Sequence, residues 1–500
     1  MRFATSRFRP CKQGYIRHLV HASMVAICAM LWLPCLGVAQ TLKLTLRECI
    51  RTAQTQGPLA IVARKALESN RATYAAFRAR LLPQVSLNGD LPNFTRAIEP
   101  VIQPDGTTFF VQRGQAQSSL NLNVSQRVPL TGGEFFLSSG LSRLDLLNER
   151  VTLWQASPVL LGFRQGLFRP NDIRWDMQEQ DLSVETAERR YLEDREDIAL
   201  QAANAFFDVY IAQLAMANAA DNVITNDTLW NLSKGRFTVG KIAENELLQS
   251  ELALLNARAY YASTTLSHER ALARLRIVLN LSASQAIELQ MNADIPSFSV
   301  DAAFAAEQAT LRRSDVPETE LQVLQAARRL NEAELSNGFN ATLSAVAGWN
   351  QTAGLLPDAY RSVLDQQRVS LNFQMPILQW GAGSAAVEAA TAEQERANTA
   401  LARANLEMDA LFAARQFAQL QRQVEITAKS DTIATRRFDV AKNRYIIGKS
   451  GMADLFIAQN EKNTARRVGV ETLRDFWLAY YRVRRLTLYD FEQHQPIVHR

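Results

Sequence analysis

Cysteine and histidine are scarce in this sequence, four and five among 500 residues. Three of the cysteines and two of the histidines fall in residues 1–39, which read as an export signal. Arg2, Arg7, Arg9, Lys12 and Arg17 precede the apolar run from Leu19 to Leu36, and Gly37 and Ala39 supply small residues for cleavage after Ala39. A retained membrane anchor is the other reading of this stretch. Cys35 is a poor site for lipid attachment, because Trp32, Leu33 and Pro34 precede it. A chain that begins at Gln40 keeps only Cys49, which excludes an internal disulfide even in an exported protein. Cys49 lies in a helical pattern and reads as a small buried side chain. Of the histidines only His268, His494 and His499 remain, and no cysteine or carboxylate cluster has metal-ligand spacing. Neither a phosphate-binding glycine loop nor a Ser/His/Asp or Cys/His constellation is present, and Gly381-Ala382-Gly383 reads as easing a strand into a helix. An enzyme is therefore not expected, nor is a cofactor. The basic balance also dissolves: the signal holds five cations and no acid, so its removal takes the formal charge from +5 to zero. That argues against nucleic-acid binding. Beyond the signal no run reads as apolar enough for a transmembrane helix.

What the chain does have is a repeat. Arg236–Ser250 reads RFTVGKIAENELLQS and Arg444–Ala458 reads RYIIGKSGMADLFIA. Gly240 matches Gly448 at an offset of 208 residues; Lys241 matches Lys449, Glu246 matches Asp454 and Leu247 matches Leu455. Each copy lies between a long and a shorter helical pattern. A glycine there can end a helix in the left-handed conformation, and the acids beyond it suit the positive end of the next helix. Both copies read as tips of helical hairpins, so the chain divides into two repeats, 40–281 and 301–490, with a linker at 282–300 and a loose tail at 491–500.

In the first repeat Thr45 and Glu48 form a capping box for a helix from Leu46, and Gly57-Pro58 breaks that helix before a second run to Arg80. From Gln84 to Leu167 the period changes to two, as in Leu120, Leu122 and Val124 against Asn121, Asn123 and Ser125, with turn signals at Asp105-Gly106 and Thr131-Gly132-Gly133. Alternation alone fits a soluble sandwich as well as a transmembrane barrel. A long helix follows Pro170-Asn171 to about Thr238, and Glu244 to Leu281 returns from the tip at 236–246, with Leu248, Leu252 and Leu255 on its apolar stripe. The second repeat has a helix over 301–336 in which Pro317 plays the part of Pro58. Strands at about 339–377 come next, then one long helix from Gly381 to Tyr445, the tip at 444–454 and a return to Asp490. Two shorter helices end to end match one long helix of roughly 100 Å. All strands would then lie at one end of a rod and both tips at the other. Six strands fall short of the minimum of about eight for a closed membrane barrel, so an oligomer must complete it.

These features resemble the TolC-like outer-membrane efflux proteins over the whole mature length. The resemblance rests on the two tips RFTVG and RYIIG, on LTLRECI at the start, on LLPQVSL entering the strands and on FQMPILQWGAG leading into the second long helix. It implies a mainly α chain with duplicated long-helix hairpins, forming a periplasmic α-barrel tunnel below an outer-membrane β-barrel shared by a homotrimer. The implied partners are a periplasmic adaptor, an inner-membrane pump and outer-membrane lipid, and the implied role is efflux or type I secretion. By motif position Asp454 resembles the acid of the periplasmic constriction, Glu246 is its counterpart, and Tyr445 matches a gate tyrosine. Ser450 stands where the best-known member has a gate arginine and Ile457 replaces a second acid, which leaves any latch either weaker than that member's or built from Lys449 instead. Gly240, Gly448, Lys241, Leu247 and Leu455 would shape the tips and meet the adaptor. Glu246 and Asp454 read equally as acids that favour helix N-termini. The family has twelve strands per trimer; the long stretch from Asn88 to Ser157 leaves room here for eighteen. Two other functions use part of the pattern. A passive porin leaves the long helices unexplained, and a structural rod or adhesin leaves the strands idle.

Overall fold

Local signals set the helix ends in the computed structural model, which describes residues 42–291, 298–398 and 401–498. The export signal, Pro296 and His499 lie outside the described residues. After the short strand β1 (Leu42–Leu44), Thr45 caps α1 (Leu46–Gln56) in a capping box with Glu48. Pro58 opens α2 (Pro58–Arg80) at a position that needs no N–H donor. The strands β2 (Gln84–Ile102), β3 (Thr108–Arg127), β4 (Glu134–Leu146) and β5 (Val151–Leu167) follow. The Asn171 side chain accepts from the Arg174 N–H at 3.2 Å and so starts α3 (Asp172–Thr238). Its 67 residues span about 100 Å. α4 (Glu244–Leu279) runs back and ends at Asn280 in the left-handed region. The second repeat gives α5 (Ala302–Arg312) and α6 (Asp315–Ser336), with Pro317 in the first turn of α6 as Pro58 is in α2. It continues with a strand pair, the helices α7 (Ala382–Ala397) and α8 (Leu401–Ile446), and the returning α9 (Met452–Thr487).

Three expectations need correction. The linker contains a strand, β6 (Ile287–Leu289), which pairs in parallel with β1 and ties the linker to the start of the chain. The strand pair is β7 (Asn340–Ala353) and β8 (Leu364–Gln374), so Met375 and Ile377 lie past its end; Pro376 has no N–H to extend the ladder. The long helix expected from Gly381 is described over Ala382–Ala397 and Leu401–Ile446, and its continuity between them falls on residues 399–400, outside the described residues. The tail is not loose: β9 (Tyr489–Asp490) pairs antiparallel with β10 (Gln495–Pro496), and Phe491 is buried. In addition, α3 does contain a stretch apolar and long enough to cross a membrane by composition, with mean hydropathy 1.2. Its Ala- and Phe-rich centre (Ala202, Ala203, Phe206, Phe207) is instead packed inside the protein.

That packing forms a waist. Cys49 and Ile50 of α1, Phe206 and Phe207 of α3, Leu275 and Leu279 of α4, Ala305 of α5, Phe417 of α8, and Phe476 and Tyr480 of α9 make one core. The short helices meet here end to end alongside the long ones. Cys49 is fully buried, and burial pushes its thiol up to about 12. Its thiolate fraction at neutral pH is thus about a thousandfold below the ordinary value. In the mature protein a maleimide should leave Cys49 unlabelled under native conditions and label it fully in denaturant. Rapid native labelling would mean that the waist core opens.

Below the waist the helices lie side by side in the order α4–α3–α9–α8, through the contacts α3–α4, α3–α9 and α8–α9. At the far end the strands form one antiparallel sheet in the order β2-β3-β4-β5-β7-β8. Its pairing sorts the side chains. Leu87, Leu122 and Ser139 share one row, Val124 and Leu137 another, and Phe135, Phe163, Ala345 and Val369 a third, all on one face. Asn123, Ser138, Leu160 and Gly348, and likewise Arg164, Ser344 and Ser370, lie on the other. One face is therefore mostly apolar and the other mostly polar, the alternation expected from the sequence.

Equivalent element boundaries measure the repeat. Leu46 and Ala302 open matching helices 256 residues apart, whereas Thr238 and Ile446 close matching helices 208 apart. The first repeat has gained 48 residues between them, one hairpin's worth of sheet. The extra pair expected between Asn88 and Ser157 is thus present, four strands standing against two.

Candidate functional site: the paired helical tips

The two tips have the same backbone. Gly240 has φ +71° and Gly448 φ +74°, both in the left-handed region where a side chain is strained. The Gly240 N–H donates to Phe237 O and the Lys241 N–H to Arg236 O, each at 2.9 Å. In the second tip the Gly448 N–H donates to Tyr445 O (3.0 Å) and the Lys449 N–H to Arg444 O (2.8 Å). This is a Schellman ending used twice. Open space surrounds both glycines, so the turn itself requires them. The next helices start at Glu244 and Met452, again 208 residues apart. Neither has a side-chain cap, and Glu246 and Asp454 stand in their uncapped first turns.

The side chains break this symmetry. Tyr445 is buried with Leu229, Phe438, Leu455 and Ala458, between the two hairpins. The Arg236 guanidinium of the first tip lies 5.5 Å from the centre of its ring, a cation–π contact that bridges the repeats. Phe237, the equivalent of Tyr445, is 41% exposed. Likewise Leu455 is 1% exposed while Leu247 is half-buried. Leu455 is therefore part of the core between hairpins and not a surface for an adaptor. Gln459 donates to Asn222 across the same seam, and Arg437 pairs with Glu461 along the second hairpin. Lys449, Ser450 and Asp454 line a groove of about 360 Å³ between α8 and α9 together with Arg437 and Arg444. Asp454 and Glu246 are exposed, and neither has an ion pair among the described residues. The Ser450 hydroxyl oxygen is buried there without a hydrogen-bond partner. Lys241 is exposed on the first tip.

Sequence reasoning missed a second constellation, at the waist. Arg484 donates through Nε and one terminal nitrogen to the two oxygens of Glu196 (2.9 and 3.2 Å). Its other terminal nitrogen donates to Asp490 (2.7 Å) and to the Tyr480 hydroxyl (3.3 Å). Asp490 also accepts from the Tyr480 hydroxyl and from the N–H groups of Glu492 and Gln493 (3.1, 3.0 and 3.1 Å). Burial alone would lower the Arg484 pKa; Glu196 and the other partners outweigh it, and the net direction is upward. Burial also pushes the Tyr481 hydroxyl up to about 12. No local motif marks this group, because Glu196 lies 288 residues from Arg484. Its role is to fasten α3, α9 and the C-terminal hairpin together.

Among the described residues no group of three or more His, Cys, Asp or Glu could hold a metal. No family model and no curated protein matches the sequence. Solved structures do. The CmeC outer membrane channel of Campylobacter jejuni is similar with a TM-score of 0.65 at 16% identity, over 91% of this chain and 87% of that one. The outer membrane protein VceC of Vibrio cholerae has a TM-score of 0.61 at 14% identity, over 90% of this chain and 96% of its own. The MtrE outer membrane channel of Neisseria gonorrhoeae, in its open state, has a TM-score of 0.59 at 17% identity, over 88% of each chain. With its duplicated helical hairpins carrying a two-faced sheet, the chain has the fold of the TolC-like outer-membrane channels.

Proposed function

We propose that three copies of this chain form an outer-membrane efflux channel, with a shared β-barrel in the membrane and a helical duct in the periplasm. Residues 1–39 are then the export signal, and 40–281 and 301–490 the two repeats. The observation that carries this reading is the incomplete protomer. Its sheet is open at β2 and β8, with an apolar face that water cannot satisfy. Its helical layer is bare at the same two sides. On α8, Ile426, Ile433 and Val440 recur every seven residues and are 58–59% exposed. On α4, Leu248, Leu252 and Leu255 of the apolar stripe are 55–58% exposed. A seven-residue apolar seam is the mark of helices that pack on a partner. Joining α8 of one copy to α4 of the next, and β8 to β2, covers both edges at once. The number three follows from the resemblance to TolC-like proteins, as do a periplasmic adaptor at the tips and an inner-membrane pump that drives export.

In this assembly the tips ring one axis, and Asp454 and Glu246 place six carboxylates at its narrow end. Such a ring attracts cations and repels anions. Native mass spectrometry should give a trimer, and the purified protein should conduct in planar bilayers with cation preference. Asp454→Ala should lower that preference and relieve block by multivalent cations, with stability changed by no more than about 0.3–1 kcal/mol. A stable monomer would overturn the channel. A trimer whose selectivity is indifferent to Asp454 would leave the acid as a helix-end residue.

A further inference from the structure

The first hairpin of the sheet outruns the wall it belongs to. β2 has 19 residues, whereas β8, the edge that must meet it in a closed barrel, has 11. On its other side β3 pairs with β4 only from Gln115 to Arg127. Residues 96–102 and 108–114 therefore pair with no third strand and form a two-stranded ribbon beyond the rim, held at its base by the β4–β5 turn, where the Leu147 N–H donates to Gly114 O (2.9 Å) and the Asn148 amide to Gln112 O. Such a ribbon is marginal by itself in water.

Its side chains are those of an interface. β3 runs without a register break, so Phe110 shares the face of Leu120 and Leu122, while Phe109 and Val111 share the face of Asn121 and Asn123. The lumen-side face thus turns from asparagine and serine to Phe109, Val111 and the paired Val101 where the wall ends. Phe109 is 61% exposed in the single chain. The opposite face carries Ile98, Ile102 and Phe110, all exposed as well. Membrane hydrocarbon does not account for both faces. On the apolar side of the wall the row above Leu120 and Leu141 holds Arg143, which is paired with Asp145 at 2.9 Å and sits over the Trp154 ring at 5.4 Å. A charged pair with a tryptophan marks the interfacial edge of a membrane band, and the ribbon begins beyond it.

We infer that the ribbons of three neighbouring copies lean over the outer mouth of the barrel and pack on one another through Phe109, Val111 and Val101. This rests on the trimeric channel proposed above. The reach is sufficient. Seven rungs at ~3.3 Å extend about 23 Å, and eighteen strands at ~4.8 Å spacing and ~40° tilt enclose a radius of about 18 Å. The ribbons form an apolar cap on the exit, which export has to part.

Full-length protein carrying Cys49→Ser and Phe109→Cys, oxidised with copper phenanthroline, should give disulfide-linked dimers within the trimer; Ile98→Cys on the opposite face should give none. A chain lacking residues 97–112, closed by Asn-Gly, should remain trimeric and conduct several-fold more in a planar bilayer. A trimer with no cross-link at Phe109 and no gain in conductance on shortening overturns the cap and leaves the channel standing. So does broadening of a Phe109→Cys spin label by lipid-borne probes, which would put the ribbon in the membrane. A monomer in native mass spectrometry overturns both.

Discussion

Arg484→Ala should destabilise the protein by about 3–5 kcal/mol, the usual cost of leaving buried charge without its partner. Glu196 is 2% exposed and would lose both oxygens' donors at once. Asp490 would keep only its backbone donors and the Tyr480 hydroxyl. Because the C-terminal hairpin is held through Asp490, its fastening to the waist should fail first, releasing Phe491 from the core. Urea titration of the refolded protein followed by tryptophan fluorescence would report the loss, since Trp477 packs edge-to-face on the Tyr480 ring with 5.9 Å between centres. Arg484→Lys keeps the charge but loses the fork on Glu196, and should fall between the two. A change within about 0.5 kcal/mol for Arg484→Ala would mean that the network is incidental.

The second large effect separates the two faces of the sheet. Leu122→Arg should cost about 2–4 kcal/mol in vesicles, the range for arginine on the lipid face near mid-membrane. Its neighbour Asn123→Arg should be close to neutral, because it faces the mostly polar side. The two positions are adjacent in sequence, on the same strand and flanked by the same partner strands, so propensity and register cannot explain a difference. Equal folding yields for both variants would make the sheet a soluble sandwich layer.

Much of this architecture was legible because its signals are local. A capping box, a proline in a first turn and a glycine at a helix end act over three or four residues, and Thr45, Pro58, Gly240 and Gly448 mark their boundaries correctly. Strict alternation exposed the strands in the same way. What escaped depends on distant partners. The tail looked loose because Asp490 and Phe491 are polar and apolar in no pattern until Arg484, Phe304 and Tyr489 are brought against them. The tips looked equivalent because their sequences are. Only packing against Leu229 and Arg236 buries Tyr445 and leaves Phe237 outside. Similarly, α3 passes for a membrane span by composition, and its neighbours decide otherwise.

The 48 residues gained by the first repeat also set a perimeter. Four helices lie abreast in each protomer, so the proposed trimer has a wall of twelve helices, about 108 Å around at ~9 Å spacing. Twelve strands at ~4.8 Å and ~40° tilt would go only about 75 Å around, and would need a taper or steeper strands to meet that wall. Eighteen strands go about 112 Å around. With the extra hairpin the two walls of the proposed trimer have nearly the same circumference, and a cargo leaving its helices would enter the strands without crossing a ledge.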